Sequence, residues 1–297
     1  MARVFSPRPL VAGLLLFKCL SAQAPSNPAA GIAMVQVAKH AMRVRTANLG
    51  GRKPGQPIVV LESGSVSPIE NWNPIFDRIA AIAPVVAYDR RGIGKSEFDG
   101  QPQTLKHVAS SLHALLSEIK ATPPYLLVGH SYGGILIMAF AQQFPSEVSG
   151  LVYLDAPDVE RTYAEMDAIS PDTRRVVMSE LDHFPTGLPP GMQAELDNLR
   201  QLLGNDMAGL RSVRPPKGLP TGVVIAAGKY EHSETPPPAE MAAALVRLQI
   251  RHEQEWALSS PNGLLVVANH IGHAVHHDDP ALVMQVIRHV FSAASKK

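Results

Sequence analysis

The sequence predicts an α/β protein in which a mostly parallel central sheet is flanked by helices on both faces. Two observations lead to this prediction. Short β-rich segments alternate with helical segments along most of the chain. Several β-rich segments are apolar almost throughout, as strands buried on both faces are. With 297 residues, 45% of them hydrophobic and 18% charged, the chain can bury the large core that such a sheet needs.

Composition and hydrophobic spacing locate the elements of this core. Strands are expected at residues 42–46, 58–62, 85–88, 125–128, 151–154, 223–227 and 264–268. Helices are expected at residues 69–82, 105–118, 134–144, 238–257 and 280–291. The last helix illustrates the basis, because Pro280 stands in its first turn and apolar residues recur after it at helical spacing.

The alternation of strands and helices is interrupted once, between residues 158 and 219. Ser170-Pro171-Asp172 is typical of a helix start, and leucines at 196, 199, 202 and 203 indicate an amphipathic helix. We therefore expect residues 158–219 to form a helical cap inserted into a core domain made of residues 32–157 and 220–297.

The first residues have the order of a secretory signal. Arg3 and Arg8 precede an apolar run at 10–17, and Ala22-Gln23-Ala24 follows it. Residues 1–24 are therefore predicted to be a signal peptide of a secreted or periplasmic protein, and the run is too short for a stable membrane span. The formal net charge of +1 gives no reason to expect nucleic acid as a partner.

The pentapeptide Gly129-His130-Ser131-Tyr132-Gly133 follows an apolar strand and precedes a helical segment. Strand, G-x-S-x-G and helix in this order predict a nucleophile elbow, a tight turn that exposes a serine at the carboxyl end of a central strand. Ser131 is then the candidate nucleophile. The N–H of Tyr132 is a candidate donor to the oxyanion of a tetrahedral intermediate.

A serine hydroxyl needs a base, usually a histidine oriented by a carboxylate. His273 is the best candidate, because it lies between the last predicted strand and the last helix, in a loop expected to reach the carboxyl edge of the sheet. Its neighbours His270, His276 and His277 leave a surface cluster as the alternative. Four close histidines also suggest a metal site, but no acidic or cysteine ligand is spaced to complete one, so no metal or other cofactor is expected.

Two carboxylates compete to orient the histidine. Asp155 ends the strand after the elbow, so a rigid element would hold it. Glu231 follows Gly228 by three residues in a polar stretch, where a surface role is the simpler expectation. Asp155 is preferred, and Glu231 stays open as the alternative.

The second oxyanion donor is expected in the turn after an early strand. The segment 58–65 fits, and the N–H of Ser65 is the candidate donor. The later segment 92–96 contains Gly-Lys-Ser, but Asp89 stands where a phosphate-binding loop needs glycine. It is interpreted as a tight turn in which Asp89 pairs locally with Arg90 or Arg91.

Together these segments resemble the α/β-hydrolase superfamily over about residues 40–295. The resemblance rests on residues 61–64, 88–96, 128–134 and 272–273, and it implies the chain order serine, acid, histidine. Serine at 131 counts against the dehalogenases and epoxide hydrolases of this superfamily, which use aspartate there. Many members carry the acid three residues after the counterpart of Gly228, which favours Glu231. The chain departs from the family at Glu62-Ser63-Gly64, where many members have His-Gly.

The expected function is hydrolysis of a small or medium acyl ester through an acyl-enzyme, with a small molecule as substrate. Apolar cap side chains would wall the acyl pocket: Met166, Val176, Leu181, Phe184, Met192 and Leu196. The alternative enzyme is a proline-type aminopeptidase or amidase, which would need a cap carboxylate from Glu165, Asp167, Glu180 or Asp182. A catalytically silent binding protein of the same fold is the alternative outside enzymes.

Overall fold

The computed structural model describes residues 30–179, 187–228 and 237–296. The strands are β1 (Ala30–Val37), β2 (His40–Ala47), β3 (Ile58–Glu62), β4 (Val85–Tyr88), β5 (Tyr125–His130), β6 (Val148–Leu154), β7 (Thr221–Ala226) and β8 (Leu264–Ala268). The helices are α1 (Phe76–Ala80), α2 (Leu105–Glu118), α3 (Tyr132–Gln143), α4 (Tyr163–Ile169), α5 (Thr173–Ser179), α6 (Pro190–Met207), α7 (Ala239–Leu258), α8 (Val275–Asp278) and α9 (Pro280–Ala294). The predicted signal peptide and Glu231 lie outside the described residues.

The strands form one sheet in the order β1-β2-β4-β3-β5-β6-β7-β8. Strand β2 is antiparallel to β1 and β4, and all pairs from β4 to β8 are parallel. This confirms the predicted fold class. Strand β1 was not predicted, because its hairpin with β2 turns at Ala38 and Lys39. Both have positive φ, yet neither is the glycine or asparagine that normally marks such a turn.

The helix predicted at 69–82 is wrong as a single element. The chain forms a short 3₁₀ helix at Ile69–Trp72 and then α1 at Phe76–Ala80. Pro74 stands between them. Proline has no N–H to donate, and its ring clashes with the carbonyl of the preceding helical turn, so one continuous helix is disfavoured there.

The two faces of the sheet carry separate apolar cores. In β5, Leu127 packs with the cluster that includes α2 and α3, whereas Leu126 and Val128 pack with α1 and α9 on the other face. Strands β3, β5 and β6 are buried along their whole length. Because neighbouring strands from β3 to β8 are parallel, the residues that follow β5, β6 and β8 lie along one edge of the sheet.

The stretch 158–219 carries α4, α5 and α6, and its described residues include no strand. Met166 and Leu199 of this stretch join the core on the α2 and α3 face. Helix α6 is interrupted near its end, where Asn205 and Asp206 adopt left-handed backbone with φ of 49° and 56°. In the part of the chain that the structure describes, no helix is long and apolar enough to cross a membrane.

Candidate active site

Ser131 lies at the junction of β5 and α3 with φ 52° and ψ −127°. Residues other than glycine rarely adopt this backbone conformation, and the surrounding structure must hold it in place. The Ser131 N–H donates to the carbonyl of Leu154 (3.0 Å), and its own carbonyl accepts from the Gly134 N–H (2.8 Å). The strand and the helix therefore meet in a strained turn that the neighbouring strand β6 supports.

Glycines surround this turn because no side chain fits. A Cβ on Gly129 would overlap the carbonyl of Gly133, and a Cβ on Gly133 would overlap the carbonyl of Glu62. The turn after β3 is also close, since a Cβ on Gly64 would lie 3.4 Å from Ser131 Cβ. The sequence spacing G-x-S-x-G thus brings Ser131 against the turn after β3.

His273 and Asp155 are joined by a short hydrogen bond. The Nδ1 of His273 lies 2.6 Å from Asp155 Oδ2, across 118 residues of sequence. The His273 side chain is 38% exposed and that of Asp155 is 15% exposed. A carboxylate at this distance favours the tautomer with the proton on Nδ1, in which Nε2 is the basic nitrogen.

The backbone holds Asp155 from both sides. Its N–H donates to the carbonyl of Val224 (2.7 Å), and its Oδ1 accepts from the N–H of Ala226 (2.9 Å). Both partners belong to β7, so two adjacent strands fix the carboxylate. The structure places Asp155 beside His273, and the rival Glu231 lies outside the described residues.

Sequence reasoning missed a contact made by His130. The His130 Nε2 donates to the backbone carbonyl of His273 (2.8 Å), and the two rings lie 4.8 Å apart. Burial keeps the pKa of His130 well below its usual value, so the ring is neutral. Its position inside the pentapeptide, beside the candidate nucleophile, was the available signal. His130 therefore ties the histidine loop to the elbow.

The other histidines near His273 have partners other than Asp155. His270 contacts Asp279 (3.1 Å), and His277 donates to the carbonyl of Asn71 (3.0 Å). His276 is buried against Trp72, with ring centroids 4.7 Å apart. Of the four neighbouring histidines, His273 is the one joined to Asp155.

The candidate oxyanion donors flank Ser131. Ser65 lies in the turn after β3, which the Ser67 N–H closes by donating to the Gly64 carbonyl (3.3 Å). Tyr132 begins α3, where the first N–H groups lack a partner within the helix. Within residues 30–179, 187–228 and 237–296, neither the Ser65 N–H nor the Tyr132 N–H donates a hydrogen bond.

The predicted local pairing of Asp89 with Arg90 or Arg91 is wrong. Asp89 accepts from the N–H of Lys95 in its own turn (2.9 Å) and from the N–H of Ile69, which precedes β4 in the chain (2.7 Å). Arg91 pairs with Asp99 (3.0 Å). Arg90 instead binds Glu62 (2.8 Å) and Glu195 of α6 (2.7 Å). Arg90 thus takes its partners from β3 and α6 and not from its neighbour in sequence.

The predicted pocket side chains of the cap have different environments. Met166 and Leu196 are fully buried, whereas Val176 and Met192 are partly exposed. Leu181 and Phe184 lie outside the described residues.

The protein has the features of an α/β enzyme with a nucleophile elbow. Its sheet is mostly parallel, a strained serine turn follows β5, and an aspartate after β6 pairs with a histidine after β8. The sequence matches the profile of the alpha/beta hydrolase family over residues 58–286. The chain belongs to this family of hydrolases.

The chain is also similar to individual proteins. YqjL of Bacillus subtilis strain 168, whose function is uncharacterized, is 26% identical over 80% of this chain and 85% of its own length. Lipase LipV of Mycobacterium tuberculosis is 33% identical, over 48% of this chain and 58% of LipV. The structure of a thermophilic esterase from Thermogutta terrifontis superposes with a TM-score of 0.56 at 18% identity, covering 89% of this chain and 99% of the esterase. That structural likeness shows the fold.

Proposed function

We propose that the protein is a serine hydrolase that cleaves small or medium acyl esters through an acyl-enzyme. The observation that carries the proposal is the strained Ser131 after β5 together with a histidine that follows β8 at the same edge of the sheet and is bonded to Asp155 at 2.6 Å. The similarity to a lipase, 33% identical over 48% of this chain, supports ester bonds as the target. This reaction needs no metal or organic cofactor.

In the proposed reaction, Ser131 Oγ attacks the ester carbonyl while Nε2 of His273 takes the hydroxyl proton. The N–H groups of Ser65 and Tyr132 stabilise the negative oxygen of the tetrahedral intermediate. The intermediate collapses, the imidazolium protonates the leaving alcohol, and the acyl group remains on Ser131. Water then attacks the acyl-enzyme, with His273 again as the base, and the acid is released. Asp155 holds the imidazole and stabilises its positive form throughout.

The aminopeptidase alternative receives no support from Glu165 and Asp167, the two candidate carboxylates that the structure describes. Glu165 accepts from Thr162 in a capping box and contacts His252 at 3.1 Å. Asp167 pairs with Arg174 at 3.6 Å. Both carboxylates are thus already paired with neighbouring groups rather than poised for a substrate amine. Glu180 and Asp182 lie outside the described residues.

The first test replaces the nucleophile. Ser131→Ala should lower the turnover of a nitrophenyl ester by about 10⁴-fold or more, because the covalent step is lost. The melting temperature should change little, since alanine keeps the Cβ of the elbow. Rates on nitrophenyl esters of increasing chain length and on aminoacyl anilides would compare the ester and peptidase proposals.

A serine-directed fluorophosphonate provides the control. Mass spectrometry should find the label on Ser131 in the wild type and none in Ser131→Ala. Labelling of another serine would contradict the assignment, and a folded wild-type protein without labelling or turnover would support a silent binding protein.

A further inference from the structure

Arg90 is the centre of a buried network at the turn after β3. Its side chain is 2% exposed and donates to Glu62 Oε1 (2.8 Å) and to both carboxylate oxygens of Glu195 (2.7 and 2.8 Å). It also donates to the carbonyls of Ser63 (2.8 Å) and Gly64 (2.7 Å). One guanidinium thus binds the backbone immediately before Ser65, and a planar fork of five N–H donors is suited to this task.

Glu195 extends the network from the cap to the same turn. Besides its two bonds to Arg90, its Oε1 accepts from the N–H of Val66 (2.6 Å). Val66 has a φ of 48°, a left-handed conformation that a β-branched residue adopts only under constraint. The Glu195 carboxylate is 1% exposed, so its charge must be compensated, and Arg90 provides the compensation.

Glu62 completes the network on the β3 side. Its second oxygen accepts from the hydroxyl of Tyr88, and burial raises the pKa of its carboxyl above the usual value. This is the position at which the sequence departs from the His-Gly of many relatives. A buried acid, paired with Arg90, therefore stands at the position where the chain departs from the family pattern.

Helix α6 also contacts the other candidate oxyanion donor. Asn198, three residues after Glu195, donates from Nδ2 to the hydroxyl of Tyr132 (2.9 Å). Residues three apart share a face of a helix, so one face of α6 contacts both Val66 and Tyr132. The start of the helix is fixed as well, because Gly191 packs against the backbone of Gly92 so closely that neither could carry a Cβ.

We propose that Arg90 and Glu195 are positioning residues that hold the 62–66 turn against α6 and so align the Ser65 N–H with the Tyr132 N–H. Neither residue touches the substrate in this proposal. In this proposal, helix α6 of the predicted cap supports the oxyanion hole in addition to covering the site. The inference rests on the proposed serine hydrolase function, because an oxyanion hole matters only for such a reaction.

The test compares two carboxylate-to-amide substitutions at buried arginine pairs. Glu195→Gln should lower kcat for a nitrophenyl ester about 10- to 100-fold, less than the loss of a whole oxyanion donor, with KM within about threefold. The inhibition constant of a boronic acid, which forms a tetrahedral serine adduct, should rise by a similar factor. Asp99→Asn alters the contacts of Asp99 with Arg91 and His107, neither of which belongs to the turn, and should leave both values unchanged.

The kcat of a second variant and amide hydrogen exchange test the proposal further. Asn198→Leu removes one hydrogen bond and no charge, so it should fold, and it should lower kcat about 3- to 10-fold by the same route. Amide hydrogen exchange of residues 63–67 should be faster in Glu195→Gln than in Asp99→Asn. If folded Glu195→Gln matches Asp99→Asn in kcat, inhibitor affinity and exchange, the proposal is wrong.

The wild-type protein separates this proposal from the proposed function. If the wild type neither turns over esters nor reacts with a fluorophosphonate at Ser131, the proposed function fails. Hydrogen exchange of the 63–67 segment would still report whether Glu195 holds the turn.

Discussion

At the scale of single residues, the backbone of Ser131 carries conformational strain that the rest of the site maintains. A non-glycine residue in such a conformation costs on the order of 1–3 kcal/mol. The hydrogen bond to Leu154 and the helix that starts at Tyr132 hold the residue in place. Since the strain belongs to the backbone and Cβ, alanine at this position should experience the same conformation, and this is why Ser131→Ala separates chemistry from folding.

Asp155 and Glu231 are the two candidates for the acid that orients His273. Asp155→Asn should lower ester turnover by about 10⁴-fold, because an amide no longer favours the Nδ1 proton of His273 or stabilises the imidazolium. Glu231→Gln should change turnover less than about threefold if its role is that of an exposed polar residue. Steady-state rates of the two folded variants decide between them, and a crippling Glu231→Gln with a mild Asp155→Asn would reverse the assignment.

At the scale of elements, packing between β3, β5 and the start of α3 sets the geometry of the elbow. Gly133 lies in the first turn of α3 against the carbonyls of Glu62 and Ser63. The glycine is needed for this close approach, and its own φ is not in the left-handed range. A side chain at Gly133 would push α3 away from β3 and from the turn after β3, which contains Ser65.

Gly133→Ala should therefore lower the free energy of unfolding by about 1–3 kcal/mol, the usual cost of overpacking. Ester turnover should fall as well, because the displaced carbonyls of Glu62 and Ser63 adjoin Ser65, the proposed oxyanion donor. Gly50→Ala is the matched control, since a Cβ there would meet no atom within 4 Å. Urea unfolding of both variants is the measurement, and equal midpoints would show that the elbow can relax around a methyl group.

At the scale of the whole molecule, buried neutral histidines make stability depend on pH. Burial lowers the pKa of His276 to about 3, and His130, whose ring lies 4.7 Å away, is also lowered well below its usual value. In the unfolded chain these rings bind protons near pH 6.5. The unfolded state thus binds more protons below pH 6.5, and stability falls as the pH falls.

Between pH 7 and pH 5, protonation of His276 in the unfolded chain should lower the wild-type free energy of unfolding by about 2 kcal/mol. The limiting slope is about 1.4 kcal/mol per pH unit. His276→Leu should lose correspondingly less free energy of unfolding over this interval. The comparison uses urea unfolding at both pH values, so any change in baseline stability cancels. His289→Gln, at an exposed histidine of α9, is the control and should keep the wild-type pH dependence. If stability depends on pH in His276→Leu as it does in the wild type, the His276 ring is already protonated in the folded protein at pH 5.

The fold class and the nucleophile elbow were predictable because both depend on residues close together in sequence. Apolar runs become buried strands, and G-x-S-x-G between a strand and a helix leaves few alternatives. The broken helix at 69–82 was predictable in principle from Pro74. The missed strand β1 was not, because its hairpin turn uses Ala38 and Lys39 instead of residues that favour positive φ.

The α/β class, the resemblance to the hydrolase family and the candidates Ser131 and His273 could all be inferred from sequence. The bonds from His273 to Asp155, 118 residues away, and from Arg90 to Glu195, 105 residues away, depend instead on how distant elements pack. Local patterns specify strands, turns and helices through steric and hydrophobic periodicity, whereas a buried charge takes whichever opposite charge the packed elements bring within hydrogen-bonding distance. For Arg90, that partner came from α6 and not from the aspartate beside it in the chain.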